Sequence, residues 1–156
     1  MGKTKIISLL VVLVVVIGGI GGYMFYHQKS QAESFTATEN IMDKLQNEKS
    51  NKVVFVFYSN GSDYSKAGEK EVLEEAKKVN YPVYYVDVDS QEKGEVLSFL
   101  NSLEVLHSEE LSSINAATLL SSIHEEENGN LNIIKYADQV DGKYVPLTDN
   151  IKKAFK

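Results

Sequence analysis

Between Ile6 and Tyr26 the chain runs for twenty-one residues without a charge, and Ser8 is the only strongly polar side chain in the run. About 20 apolar residues are what a helix needs to cross ~30 Å of hydrocarbon, so the stretch predicts one membrane-spanning helix. Gly18, Gly19, Gly21 and Gly22, with Lys3, Lys5 and Lys29 as flanks, set it apart from a buried helix of a globular domain. Tyr23, Phe25 and Tyr26 stand where an interfacial aromatic belt would lie. An uncleaved signal anchor is the preferred reading, because the run exceeds the ~7–15 apolar residues of a signal peptide. Cleavage near Ala32, at Ser30-Gln31-Ala32, would instead release a secreted domain. The excess of Lys before the span favours a cytoplasmic N-terminus and an extracytoplasmic C-terminal part.

The rest of the chain differs in charge. Residues 1–29 hold three Lys and no acid, whereas 30–156 hold thirteen Lys against all twenty-two acids, a net of −9. Every basic residue is Lys, so the bidentate guanidinium fork that phosphates and base edges favour is missing. Nucleic acid is therefore not an expected partner. The chain also has no Cys, which excludes a disulfide scaffold, a zinc finger, a cysteine nucleophile and dithiol chemistry. Neither a metal nor a cofactor is expected. With 43% hydrophobic residues, a packed core is feasible.

Past a polar linker at 30–35, one α/β domain is predicted over 36–156. Thr36-Ala37-Thr38-Glu39 matches a capping box, and Ile41, Met42 and Leu45 recur at helical spacing, which predicts a helix over 36–49. The run Val53 to Tyr58 is apolar, β-branched and aromatic, the pattern of a strand buried on both faces. A polar segment leads to a helix bearing Val72, Leu73, Ala76 and Val79, with Ser62 or Asp63 as its cap. Pro82 opens a strand over 83–88. Asp89 or Ser90 then caps a helix that aligns Val96, Leu97, Leu100 and Leu103. Two more strands, 114–123 and 131–136, flank an Asn128-Gly129 turn, and a short helix over 148–156 ends the order. Helices on both faces of a mixed sheet make a three-layer architecture.

The junction Phe57-Tyr58-Ser59-Asn60-Gly61-Ser62-Asp63-Tyr64-Ser65-Lys66, taken with this order, resembles the thioredoxin fold. In that family a buried strand ends in an aromatic residue and C-x-x-C-Lys opens the next helix, so Ser62 and Ser65 stand where the cysteines would be. The resemblance spans 36–156 and is nearest to membrane-anchored thioredoxin-like proteins of Gram-positive bacteria, including bacteriocin transport accessory proteins. It implies a peptide-binding surface at Ser62, Asp63, Tyr64, Ser65 and Lys66, together with Ala117 and Thr118. Two positions depart from the family: Ala117 replaces the expected cis-proline, and Val56 replaces a buried acid. Helix capping explains Ser62 better than nucleophilic chemistry, since the dipole effect that lowers a thiol pKa does not ionise a hydroxyl.

Other constellations carry less. Ser90-Gln91-Glu92-Lys93 matches S-x-x-K without the motifs that accompany it in penicillin-binding enzymes. Asp87-Val88-Asp89 ends a strand where a cation could bind, but alternation and capping explain it with fewer assumptions; Glu125 to Glu127 reads as a solvated hairpin loop before a Ca²⁺ or basic-partner site, and the histidines 27, 107 and 124 lack metal-ligand spacing. Asn60-Gly61-Ser62 is a glycosylation sequon of little weight here. Tyr81, Tyr84, Tyr85, Tyr136 and Tyr144 read first as packing residues. The leading expectation is a tethered, redox-inactive thioredoxin-like module that binds a secreted peptide or envelope protein. A thiol-disulfide oxidoreductase in Cys-to-Ser form is one alternative, and a subunit of a membrane secretion or conjugation complex is another.

Overall fold

Six consecutive buried residues, Val53 to Tyr58, set the layout. A strand with no exposed face needs a strand on each side and a helical layer above and below. A computed structural model of the chain describes residues 33–103, 109–123 and 131–156, and it supplies all four. Strand β1 (Lys52–Tyr58) pairs in parallel with β2 (Val83–Asp87) and antiparallel with β3 (Ala117–Ile123). Strand β4 (Leu131–Lys135) pairs antiparallel with β3, which gives the order β2-β1-β3-β4. The register sets Tyr58 opposite both Asp87 and Ala117, so three chain segments converge at one end of the sheet.

Alternation along β1 assigns the two faces. Val53, Phe55 and Phe57 join Tyr84, Val86 and Leu120 in one core with Ile41 and Leu45 of α1 (Ile41–Gln46) and Val96, Leu97 and Leu100 of α3 (Glu92–Ser102). The opposite face lies under α2 (Asp63–Lys78) and α4 (Thr148–Ala154). Helix α2 buries Val72, Leu73 and Ala76 there, and α4 buries Ile151 and Ala154. The domain is thus a mixed α/β structure with a mixed four-stranded sheet.

Four local expectations change. Helix α1 has six residues rather than the span 36–49, because the stretch before it is recruited by the sheet. Thr38 donates its N–H to the Tyr85 carbonyl at 2.9 Å, and its hydroxyl accepts the Tyr85 N–H at 2.8 Å. Phe35, assigned to the linker by its polar neighbours, is 4% exposed. Asn40, at φ 52, turns the chain from this extended segment into the helix. Neither Asp89 nor Ser90 caps α3; Ser90 instead donates its hydroxyl to the Asp87 carbonyl at 2.8 Å. Strand β3 starts at Ala117 rather than at Ile114, after a 3-10 turn over Leu111–Ser113. Last, a hairpin absent from the predicted order, β5 (Ala137–Val140) and β6 (Lys143–Pro146), follows β4. Its turn residues Asp141 and Gly142 have φ 51 and 77, the pattern of a type I′ turn.

The apolar run 6–26, the Ala32 cleavage position, the acidic run 125–127, the Asn128-Gly129 turn and all three histidines lie outside the described residues. Among the described residues no helix is long and apolar enough to cross a membrane.

One glycine is fixed by packing. A Cβ on Gly68 of α2 would stand 2.6 Å from Tyr136 Cδ2 and 2.8 Å from the Tyr136 carbonyl oxygen. Backbone cannot move aside as a flexible side chain can. Gly68→Ala is expected to destabilise by about 1–3 kcal/mol or more through overpacking. Gly94→Ala on α3, where a Cβ meets nothing within 4 Å, should stabilise by up to about 1 kcal/mol. Urea unfolding of the two variants beside the parent chain checks both signs.

Candidate functional site

At the sheet end where β1, β2 and β3 converge, the chain leaves Tyr58 and turns through Ser59 to Ser62 into α2. The Ser62 N–H donates to the Ser59 carbonyl at 3.1 Å and closes the turn. Two long-range contacts hold the turn against β2: the Ser59 hydroxyl donates to Asp89 Oδ2, and Asn60 Nδ2 donates to Asp87 Oδ2 at 3.3 Å. Asp87 also accepts the Asp89 N–H at 3.0 Å, so this acidic pair is occupied by donors of its own loop.

Beneath the turn lies a buried polar network. Ser65, in the first turn of α2 and 1% exposed, accepts the Ser59 N–H at 2.9 Å and donates its hydroxyl to the Ala116 carbonyl. The same carbonyl accepts the Tyr136 hydroxyl at 3.0 Å, and the Phe57 carbonyl lies 3.3 Å from that hydroxyl. Tyr136 in turn donates its N–H to the Ala117 carbonyl at 3.0 Å. Asn115 bends the chain before β3: its Oδ1 accepts the Ala117 N–H at 3.1 Å and the Thr118 hydroxyl at 3.2 Å, while its own N–H donates to that hydroxyl at 3.0 Å. Among the described residues no buried side-chain polar atom is without a partner.

An aromatic cluster flanks this network. The Phe35 ring lies 5.2 Å from Tyr58, 5.8 Å from Tyr85 and 5.9 Å from Tyr136, centroid to centroid. Its N–H donates to Glu69 Oε2 of α2 at 3.1 Å. Burial foremost, with Asp87, Glu92 and Glu69 adding to it, pushes the Tyr58 hydroxyl up to about 12. Burial alone does the same to Tyr85, which also reaches about 12. Burial raises Tyr136 as well, against the opposing bond from Ser65. All three are neutral through the physiological range.

The seven residues singled out from the sequence divide by exposure. Asp63 and Lys66 are exposed, Ser62 and Tyr64 are half-buried, and Ser65, Ala117 and Thr118 are buried. Ser62 occupies the N-cap position of α2, but its side chain makes no capping bond, so the donors it was expected to satisfy are not served by it. Ala117 lies in the sheet opposite Tyr58, and Thr118 is committed to Asn115. The surface open to solvent here is therefore Asn60, Asp63, Lys66 and the edge of Tyr64, not these buried side chains. The Tyr64 ring packs at a 42° tilt, 5.3 Å between centroids, against Tyr144 of the hairpin, which is 44% exposed. Burial raises the Tyr64 hydroxyl, helped by Asp138 and Tyr144. The sequence has no signal that assigns a role to Phe35, Gly68 or Asn115, Ser59 is expected only as the start of the surface loop that runs to Lys66, and Tyr136 and Tyr144 read first as packing residues. Asp141-Gly142 between alternating positions was the available signal for the hairpin and hence for Tyr144.

Comparison with family models, with curated proteins and with solved structures returned no match. The chemistry must be read from the geometry alone. The Ser65 hydroxyl is buried and gives its proton to a backbone carbonyl, which is no base to activate it as a nucleophile. Among the described residues no three metal-ligating side chains gather. Hydrogen bonding and apolar contact are what this surface offers.

Ser65→Ala is expected to cost about 1–3 kcal/mol because the Ser59 N–H loses its buried acceptor. Tyr136→Phe should cost less, since Ser65 still donates to Ala116. A double-mutant cycle by urea unfolding should give a non-zero coupling, as both hydroxyls share one carbonyl. The tyrosines make a pH prediction. Their folded values lie above the unfolded value of about 10, so their contribution is complete below about pH 10 and is lost as pH rises through about 12. Urea midpoints measured on both sides of that window should fall on the alkaline side, with tyrosinate absorbance rising in step.

Proposed function

We propose that this chain is a thioredoxin-like module without redox chemistry, tethered at the outer face of a membrane by residues 6–26, and that it binds a secreted peptide or an envelope protein. The observation that carries the reading is the double commitment of Ser65. Its hydroxyl, at the helix position where the resemblance expects a thiol, both accepts from Ser59 and donates to Ala116. Ala117 adds to this, because its N–H is used by Asn115 and a proline there would have none to give. The local bonding is thus built for a serine and an alanine. The order β2-β1-β3-β4, with β3 antiparallel to β1 and helices on both faces, supports the architecture that the resemblance implies. The net −9 of residues 30–156 and the absence of Arg are consistent with a protein partner rather than nucleic acid.

The contact surface in this reading is the exposed rim of the β1–α2 turn, namely Asn60, Asp63 and Lys66, with the tilted Tyr64–Tyr144 ring pair beside it. A photo-crosslinking residue at position 63 or 66 of the membrane-bound full chain should capture a defined protein or peptide. The same probe at exposed Lys44 of α1 should not, and Tyr64→Ala should weaken the capture. Equal capture at positions 44 and 63 would place the contact elsewhere. Turnover of insulin by Ser62→Cys combined with Ser65→Cys, after confirming that the pair oxidises, would favour the oxidoreductase reading; we expect none above background.

A further inference from the structure

Gly61 has no conformational or packing reason to be glycine. Among the described glycines only Gly142 has a positive φ, and a Cβ built on Gly61 meets nothing within 4 Å. An alanine would be accommodated there, unlike at Gly68. The missing side chain leaves the Gly61 amide nitrogen open toward the residue before it. Asn60 and Gly61 are both exposed, and the Gly61 N–H has no hydrogen-bond partner among the described residues. The Asn60 side chain is held by a single contact, the 3.3 Å bond from Nδ2 to Asp87 Oδ2.

We propose that Asn60 is a site of spontaneous deamidation, a slow and one-way change of charge at the head of α2. The Gly61 nitrogen gives up its proton and attacks Cγ of Asn60. The N–Cγ bond forms, the Cγ–Nδ2 bond breaks, and the amide leaves as ammonia, which closes a five-membered imide. Water opens the ring at either carbonyl and gives aspartate or isoaspartate. One water is consumed, one ammonia is released, and nothing is oxidised or reduced.

The surroundings give the change its effect. A donor to Asp87 becomes a second carboxylate facing it, beside Asp89, so an attractive contact of the turn becomes repulsive. In the isoaspartate product the main chain between β1 and α2 gains one methylene. That added length acts next to the 2.9 Å bond from the Ser59 N–H to Ser65 Oγ. The exposed rim thereby changes in charge and in shape without any enzyme. The inference rests on the turn itself and stands whether or not the rim binds a peptide.

Cleavage after Lys52 and Lys66 releases residues 53–66, in which Asn60 is the sole side-chain amide. The full chain is incubated folded at mildly alkaline pH, and this fragment is followed by chromatography and mass spectrometry. The expected result is the mass gain of an amide-to-acid conversion, split between two isomeric products. Gly61→Ala should slow it by on the order of tenfold, since a Cβ hinders the approach of the nitrogen. Its urea midpoint checks that the fold is retained. A fragment that stays unmodified in the folded chain, or a rate that Gly61→Ala leaves unchanged, overturns the proposal.

Discussion

The backbone carbonyl of Ala116 receives two buried hydroxyls, from Ser65 and from Tyr136, and the end of the sheet is organised around it. Through it, α2, the entry to β3 and the residue that follows β4 are joined at one atom, and Ser65 extends the link to Ser59 after β1. In apolar surroundings such a set stabilises only when complete, since an orphaned donor costs about 1–3 kcal/mol. The dependence runs outward from there. Tyr136 can reach the carbonyl because Gly68 has no Cβ, and with Tyr136 in place Phe35 finds an aromatic wall to close the cluster.

This network also limits what chemistry the region can perform. Nucleophilic catalysis needs a hydroxyl whose proton has a base to go to, and Ser65 has a backbone carbonyl instead. The neighbouring phenols are held neutral by burial, so they do not exchange protons near neutrality. The charges that solvent or a partner meets, Asp63 and Lys66, sit on the rim.

Much of the architecture was legible from residue pattern. The run Val53 to Tyr58 has the pattern of a fully buried strand and is one, and of the expected face Val72, Leu73, Ala76 and Val79 the first three are buried on α2 while Val79 follows its end. Tertiary contacts overrode local signals elsewhere. The capping box at 36–39 is a sound local motif, yet Thr38 finds a better partner in Tyr85, forty-seven residues away. The β5–β6 hairpin is written in Asp141-Gly142, but an expected direct passage from the strand over 131–136 to the last helix leaves no place for it. At the site, the frame Ser62 to Lys66 was visible, but its bonding was not. Ser65 and Ala116 are fifty-one residues apart, and no local pattern ties a serine to a distant carbonyl.

The short segment before α1 has a further consequence. Val83, Tyr84, Tyr85 and Val86 form an uncharged, β-prone run on the outermost strand of the sheet, the composition that invites another chain to add on. Thr38 occupies both the N–H and the carbonyl of Tyr85 at the middle of that run. An incoming strand would have to displace Thr38, and with it the neighbouring Phe35 from its ring of tyrosines, before it could form a continuous ladder. The segment before α1 thus covers the middle of an edge strand that would otherwise be open to pairing.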